Sequence, residues 1–203
     1  YCVAVSNGTA ALHLAVSALE IAQGSEGITP PNTFVASANC MLYNHLTPCF
    51  ADIDPKTYNI DPEQVSGVIT DKTKLLIPVH FAGQVADMPS IKKIAEENEL
   101  FVIEDAAHSI GTSYTHEGQV FMCGSCAHSD LAIFSFHPVK TITSGEGGAV
   151  LTNNKELADR VRMFSSHGMV RCQDLESQSD GPWYYEMTEM GYNYRITDFQ
   201  CAL

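Results

Sequence analysis

Leu131-Ala132-Ile133-Phe134-Ser135-Phe136-His137-Pro138-Val139-Lys140 is an apolar run that breaks at a proline and delivers a lysine. Consecutive apolar side chains over Leu131–Phe134 read as a strand buried on both faces. Such a strand belongs to a mostly parallel sheet with helices on both sides. The glycine-rich Ser144-Gly145-Glu146-Gly147-Gly148 that follows is a turn. Lysine is ordinarily a surface residue. Where a strand leaves a sheet, its amine is also placed to form a Schiff base with a cofactor aldehyde.

Outward from this run the pattern repeats. Strands are expected at Cys2–Val5, Gly27–Pro30, Thr47–Ala51, Leu75–Val79, Leu100–Glu104, Leu131–Phe136 and Ala149–Thr152. Helices are expected at Ala10–Ile21, Val35–Asn44, Pro62–Ile69, Met88–Asn98 and Lys155–Phe164. Leu12, Val16 and Leu19 recur at helical spacing, as do Ile91, Ile94 and Ala95. Asp61-Pro62 and Asp87-Met88-Pro89 are helix starts. The turn-rich stretch Val170–Trp183 reads as a surface loop, either a lid or a connection. Alternation of this kind defines an α/β fold, and such sheets bind ligands at the carboxyl ends of their strands.

Four expected strand exits carry suitable chemistry. Ser6-Asn7-Gly8-Thr9-Ala10-Ala11-Leu12 opens the first helix, whose free N–H groups and dipole suit a phosphate. An ordinary helix start capped by Asn7 or Thr9 is the plainer reading. Leu100-Phe101-Val102-Ile103-Glu104-Asp105-Ala106-Ala107-His108 is a buried strand ending in acid. Asp105 suits the protonated nitrogen of a pyridine ring, or caps a helix. His108 suits the ring face or the phenolic oxygen, and equally a backbone partner. Ser135 could reach the phosphate, and Phe34 could stack on a flat ring. Together with Lys140 these are the groups that pyridoxal 5'-phosphate requires. Neither a GxGxxG turn nor a Walker loop is present.

The 203 residues suffice for one sizeable domain. The chain opens at Tyr1 within a strand-like run and closes at Leu203 in what reads as a helix start, so a fragment is expected. Eleven basic against 24 acidic side chains, a net charge of -13, argue against nucleic-acid binding. No apolar stretch is long enough to span a bilayer. Seven cysteines include one Cys123-Gly124-Ser125-Cys126 pair without a second pair at zinc spacing. No metal site is therefore expected, and the thiols read as reduced, in a cytoplasmic protein.

Six stretches carry a resemblance: Ser6–Leu12, Thr29–Asn39, Pro78–Gln84, Ile103–Gly111, Phe134–Lys140 and Gly145–Thr152. In this order they resemble the sugar aminotransferases of the DegT/DnrJ/EryC1/StrS family. The resemblance implies the large domain of the aspartate-aminotransferase-type (fold type I) fold over residues 1–203, with the N-terminus incomplete and a small C-terminal domain missing. It implies pyridoxal 5'-phosphate joined to Lys140, with Asp105 on the ring nitrogen. Thr9, Ala10 and Ser135 then hold the phosphate, and Phe34 and His108 flank the ring. Asn193, in Gly191-Tyr192-Asn193-Tyr194-Arg195, corresponds to an asparagine that reaches the phosphate of a neighbouring subunit, which implies a homodimer with shared sites.

Arg162–Met169 and Pro182–Asp198 resemble the branch that aminates UDP-4-keto-6-deoxy-L-N-acetylaltrosamine in pseudaminic acid synthesis. The implied substrates are a nucleotide-linked ketosugar and an amino-acid donor, L-glutamate. The alternatives are a sugar dehydratase using the same cofactor and a noncatalytic sensor. Lysine at 140, where certain family dehydratases carry histidine, speaks against the first. Gly27 departs from the family's β-branched strand entry, and a weaker strand is expected there. Cys123 and Cys126 lie in a loop that usually lacks cysteine.

Overall fold

A computed structural model describes residues 1–171 and 183–203. Its elements in chain order are β1 Cys2–Val5, α1 Gly8–Ala18, β2 Glu26–Thr29, α2 Ala36–Tyr43, β3 Thr47–Phe50, α3 Pro62–Val68, β4 Thr73–Leu76, α4 Met88–Glu97, β5 Phe101–Asp105, β6 Ser113–His116, β7 Gln119–Met122, β8 Leu131–Ser135, β9 Gly148–Leu151, α5 Lys155–Ser165, β10 Met169–Arg171, β11 Tyr185–Met187 and α6 Asp198–Ala202. Seven strands form one sheet in the order β1-β9-β8-β5-β4-β2-β3. β9 runs antiparallel to β1 and β8, and all other pairs are parallel. Six strands therefore release their carboxyl ends at one edge, and β9 enters there.

The sheet is apolar on both sides because neighbouring residues face opposite ways. Leu75, Ile103, Leu131 and Ile133 join the core formed with α1, α2 and α5. Ile28, Leu76 and Val102 join a second core with Val65 of α3 and Met88, Ile91 and Ala95 of α4. Each of these side chains except Ala95, removed from water, contributes about 1.5–3 kcal/mol. That two-sided burial is the physical reason the strands read as unbroken apolar runs. The helix starts follow their caps. Asp61 accepts the Glu63 N–H ahead of α3, and Asp87 accepts the Ser90 N–H ahead of α4.

Two expectations change. Met169–Arg171 form a strand paired with Tyr185–Met187, so the expected loop does not begin at Val170. The remainder of that loop, 172–182, lies outside the described residues. The hairpin β6–β7 has no counterpart among the expected strands, because its mixed polar and aromatic side chains form no apolar run longer than Val120-Phe121-Met122. It forms around Glu117 and Gly118, both with positive φ (50° and 78°), which is the primed turn that matches strand twist.

Gly27 lies inside the sheet, on β2 between β4 and β3. A Cβ there would stand 2.7 Å from Met41 Sδ of α2. Glycine is thus where the helix comes down on the strand, rather than a simple weakness. Gly27→Val is expected to destabilise the full-length protein by about 1–3 kcal/mol through overpacking. Denaturant unfolding would read this as a lowered midpoint, and an unchanged midpoint would refute the contact.

Candidate active site

The carboxyl edge encloses a cavity of about 660 Å³. Thr9, Ala10, Phe34, Asp105, His108, Ser135 and Lys140 all line it, although they come from the ends of four different strands and the segments that follow them. Asn193 does not line it. That residue forms a bridge with Ser166 beside Tyr194, and Tyr194 does face the cavity.

At one wall α1 begins. Asn7 is its cap, with its side-chain oxygen accepting the Ala10 N–H at 2.8 Å. The Gly8 and Thr9 N–H groups have no partner within the helix at these positions, and the dipole adds partial positive charge. Ala10 thus contributes a small side chain to the wall while its N–H is already engaged. Ser135 lies against the helix start: a Cβ on Gly8 would come within 2.9 Å of Ser135 Cβ. Only glycine lets β8 bring that hydroxyl so close to the first amides. Two elements far apart in sequence thus bring free amides and hydroxyls together in a way that could hold an anion.

Asp105 ends β5 and is 5 % exposed. No helix follows it, so it is not a helix cap. Its carboxylate accepts the Ser37 hydroxyl at 2.8 Å and the Ala107 N–H at 3.3 Å. Its backbone is tied to the strand alongside. The Asp105 N–H donates to the Pro78 carbonyl at 2.9 Å, and the His80 N–H donates to the Asp105 carbonyl at 3.1 Å. The carboxylate is therefore held in direction from both ends.

Lys140 follows a turn closed by its N–H to the His137 carbonyl, 2.9 Å away. It is half-buried. Burial lowers its pKa, and the negative charge of Asp105 offsets part of that. Burial also lowers the pKa of His108, helped by the charge of Lys140 and opposed by that of Asp105. His108 is itself exposed at the cavity mouth. Phe34 is 71 % exposed, an aromatic face with no protein side chain covering most of it.

Ser37, Tyr43, His80, Glu146 and Tyr194 also line the cavity. Their roles have little local signal. Ser37 reaches Asp105 only because α2 packs over β5, 68 residues away in the chain. All but Tyr43 nonetheless stand in the stretches quoted above: Ser37 in Thr29–Asn39, His80 in Pro78–Gln84, Glu146 in Gly145–Thr152 and Tyr194 in Pro182–Asp198.

Among the described residues one buried group of potential metal donors occurs: His80, Glu104 and Cys123, with ligand atoms within 4.8 Å of one another. The hydrogen bonds argue against a cation there. The Ala86 N–H donates to His80 Nδ1 at 3.2 Å, which uses that nitrogen's lone pair. The ring proton then sits on Nε2, facing Glu104 Oε1 at 3.0 Å. Gly124 N–H and the Ser129 hydroxyl complete the carboxylate's partners. The group is a satisfied network that fixes the β4 and β5 exits.

A lysine and a carboxylate line one cavity, beside free helix-start amides at the carboxyl edge of a mostly parallel α/β sheet. The chain belongs to the DegT/DnrJ/EryC1/StrS aminotransferase family, which it matches over residues 1–203. GDP-perosamine synthase of Caulobacter vibrioides is 39% identical over all 203 residues, which cover 50% of that protein. Helicobacter pylori PseC, an aminotransferase of pseudaminic acid biosynthesis, superposes with a TM-score of 0.87 at 31% identity, covering 100% of this chain and 51% of PseC. NtdA of Bacillus subtilis, solved with its cofactor PMP, gives 0.84 at 33% identity, covering 100% of this chain and 42% of NtdA. The chain spans about half the length of the relatives it matches. Among the described residues no helix is long and apolar enough to cross a membrane.

Proposed function

We propose that this chain is the cofactor-binding part of a pyridoxal 5'-phosphate-dependent aminotransferase. It transfers an amino group from an amino acid, L-glutamate, to C4 of a nucleotide-linked 4-keto-6-deoxy sugar. The single observation that carries this reading is that Lys140 and Asp105 line the same cavity. The residues fit the cofactor: an amine for its aldehyde, a buried carboxylate for its ring nitrogen, unpaired helix-start amides and two hydroxyls for its phosphate, and Phe34 for its ring face. PMP is bound in the similar NtdA, which supports the same assignment. The likeness to PseC favours a place in pseudaminic acid synthesis, and the resemblance of Arg162–Met169 and Pro182–Asp198 favours a UDP-linked sugar. A homodimer with shared sites, in which Asn193 serves the neighbouring subunit, belongs to this proposal, as does a cytoplasmic location.

Pyridoxal phosphate supplies an electrophilic aldehyde and a ring that withdraws electrons from the carbon losing its proton. The Gly8 and Thr9 amides, Thr9 and Ser135 hold the phosphate end. Asp105, directed by Ser37 and Ala107, keeps a proton on the ring nitrogen. Phe34 and His108 confine the ring between them. With the cofactor bound, the Lys140 amine would take the proton from the donor's α-carbon. It would then give that proton back, acting first as base and then as acid. The second half-reaction runs these transfers in reverse on the ketosugar.

Lys140 must be unprotonated to act as base. Its lowered pKa enlarges the neutral fraction near pH 7, so activity falls as pH drops through it. The acid limb of the kcat profile of the full-length enzyme is expected to have its midpoint below 10.5, the ordinary lysine value. An acid limb centred at or above that value would refute the base assignment. The function itself is tested by incubating the full-length protein with candidate UDP-ketosugars and glutamate and weighing the products. A mass gain matching ketone-to-amine exchange is expected. Deoxygenation would instead identify a dehydratase.

A further inference from the structure

A second concavity, of about 560 Å³, lies on the same edge and is lined by Pro31, Asn32, Ile53, Tyr58 and Phe81. It adjoins the cofactor cavity at two places, because Asn32 precedes Thr33 and Phe81 follows His80, and Thr33 and His80 line the first cavity. Three loops meet here, those after β2, β3 and β4. Asn59, 2 % exposed, bolts two of them together. It accepts the Phe81 N–H at 2.9 Å and donates to the Gln84 carbonyl at 3.1 Å. Asn32 ties in the third, donating to the Tyr58 carbonyl at 3.3 Å.

The network presents two aromatic rings, Tyr58 and Phe81, with centroids 6.1 Å apart and planes at 41°. Tyr58 is 54 % exposed although its backbone sits at φ 59°, a left-handed conformation that a bulky aromatic rarely adopts. Ala82, next to Phe81, is left-handed too, at φ 51°. Strain that surrounding bonds enforce on an exposed ring is characteristic of ligand-binding positions.

We propose that this groove is the subsite for the base of the nucleotide-linked sugar, which stacks on Tyr58 and Phe81 while the sugar reaches into the adjoining cavity. The inference rests on the nucleotide-sugar reading above. Every base has a stacking face, so aromatic rings without a dedicated charged partner suit a heterocycle of either pyrimidine or purine type.

The test is calorimetric binding of UDP, GDP and inorganic pyrophosphate to the full-length protein and its Tyr58→Asn variant. Asparagine tolerates the left-handed backbone, so the loop is retained. Loss of one stacking ring is expected to weaken UDP and GDP about tenfold and leave pyrophosphate unchanged. Phe81→Leu, which keeps bulk without a ring, is expected to act in the same direction. Unchanged UDP and GDP affinity in both variants would overturn the proposal, as would an equal loss for pyrophosphate. A shift in dimer dissociation with nucleotide affinity intact would assign the groove to a second copy of the chain, and would likewise overturn it. Nucleotide binding is read without turnover. Absence of a cofactor absorbance band in the unaltered protein would therefore defeat the transaminase reading while these arms still decide the groove.

Discussion

Lys140→Arg in the full-length enzyme is expected to lower amino transfer by at least about 10²–10⁴-fold, the scale of one general acid–base group. Arginine retains the positive charge and much of the length, yet does not deprotonate in proteins. It can neither attack an aldehyde nor accept a proton from carbon. The visible absorbance of the cofactor-loaded enzyme should disappear or shift, because position 140 no longer offers an amine to the cofactor's aldehyde. Nucleotide affinity should be retained, since the Tyr58 groove is built from other loops. Turnover within about tenfold of the original, with the absorbance intact, would remove Lys140 from the mechanism.

Asp105→Asn is expected to lower kcat by about 10²–10³-fold, the effect of losing one preorganised electrostatic contact. The substitution is nearly isosteric. Its amide group brings N–H donors toward a pocket already supplied by the Ser37 hydroxyl and the Ala107 N–H. The Ser37 hydroxyl can turn to accept from that amide while the amide oxygen keeps the Ala107 N–H, but the negative charge opposite the ring nitrogen is gone. Cofactor affinity and the absorbance maximum should both move, which a purely structural aspartate would not cause. Full activity and an unaltered spectrum in the Asp105→Asn variant would show that Asp105 does not face the ring. These two variants separate the roles, because only the first removes the amine.

Much of the scaffold was legible in the order of residues. Burial on both faces of a parallel sheet demands unbroken apolar runs, so the strands of Leu131–Ser135 and Phe101–Asp105 announced themselves. The caps at Asp61 and Asp87 marked their helices because a short acidic side chain answers free amides locally. Boundaries moved by a few residues where hydrogen bonding, rather than hydropathy, ends an element. The β6–β7 hairpin escaped because its stability lies in a two-residue turn and cross-strand pairs, with little apolar periodicity.

Chemical identity at the site is a local property: the lysine, the acid after an apolar strand and the small residues before a helix are all visible one stretch at a time. Whether those groups face one another is a matter of sheet order, since the exits of β1, β2, β5 and β8 share a cavity only through pairing between segments far apart in the chain. The grip of Ser37 on Asp105, the contact of Gly8 with Ser135, and the meeting of Tyr58 with Phe81 all arise in the same way. Long-range packing sets such distances, and no periodicity along a chain encodes them residue by residue.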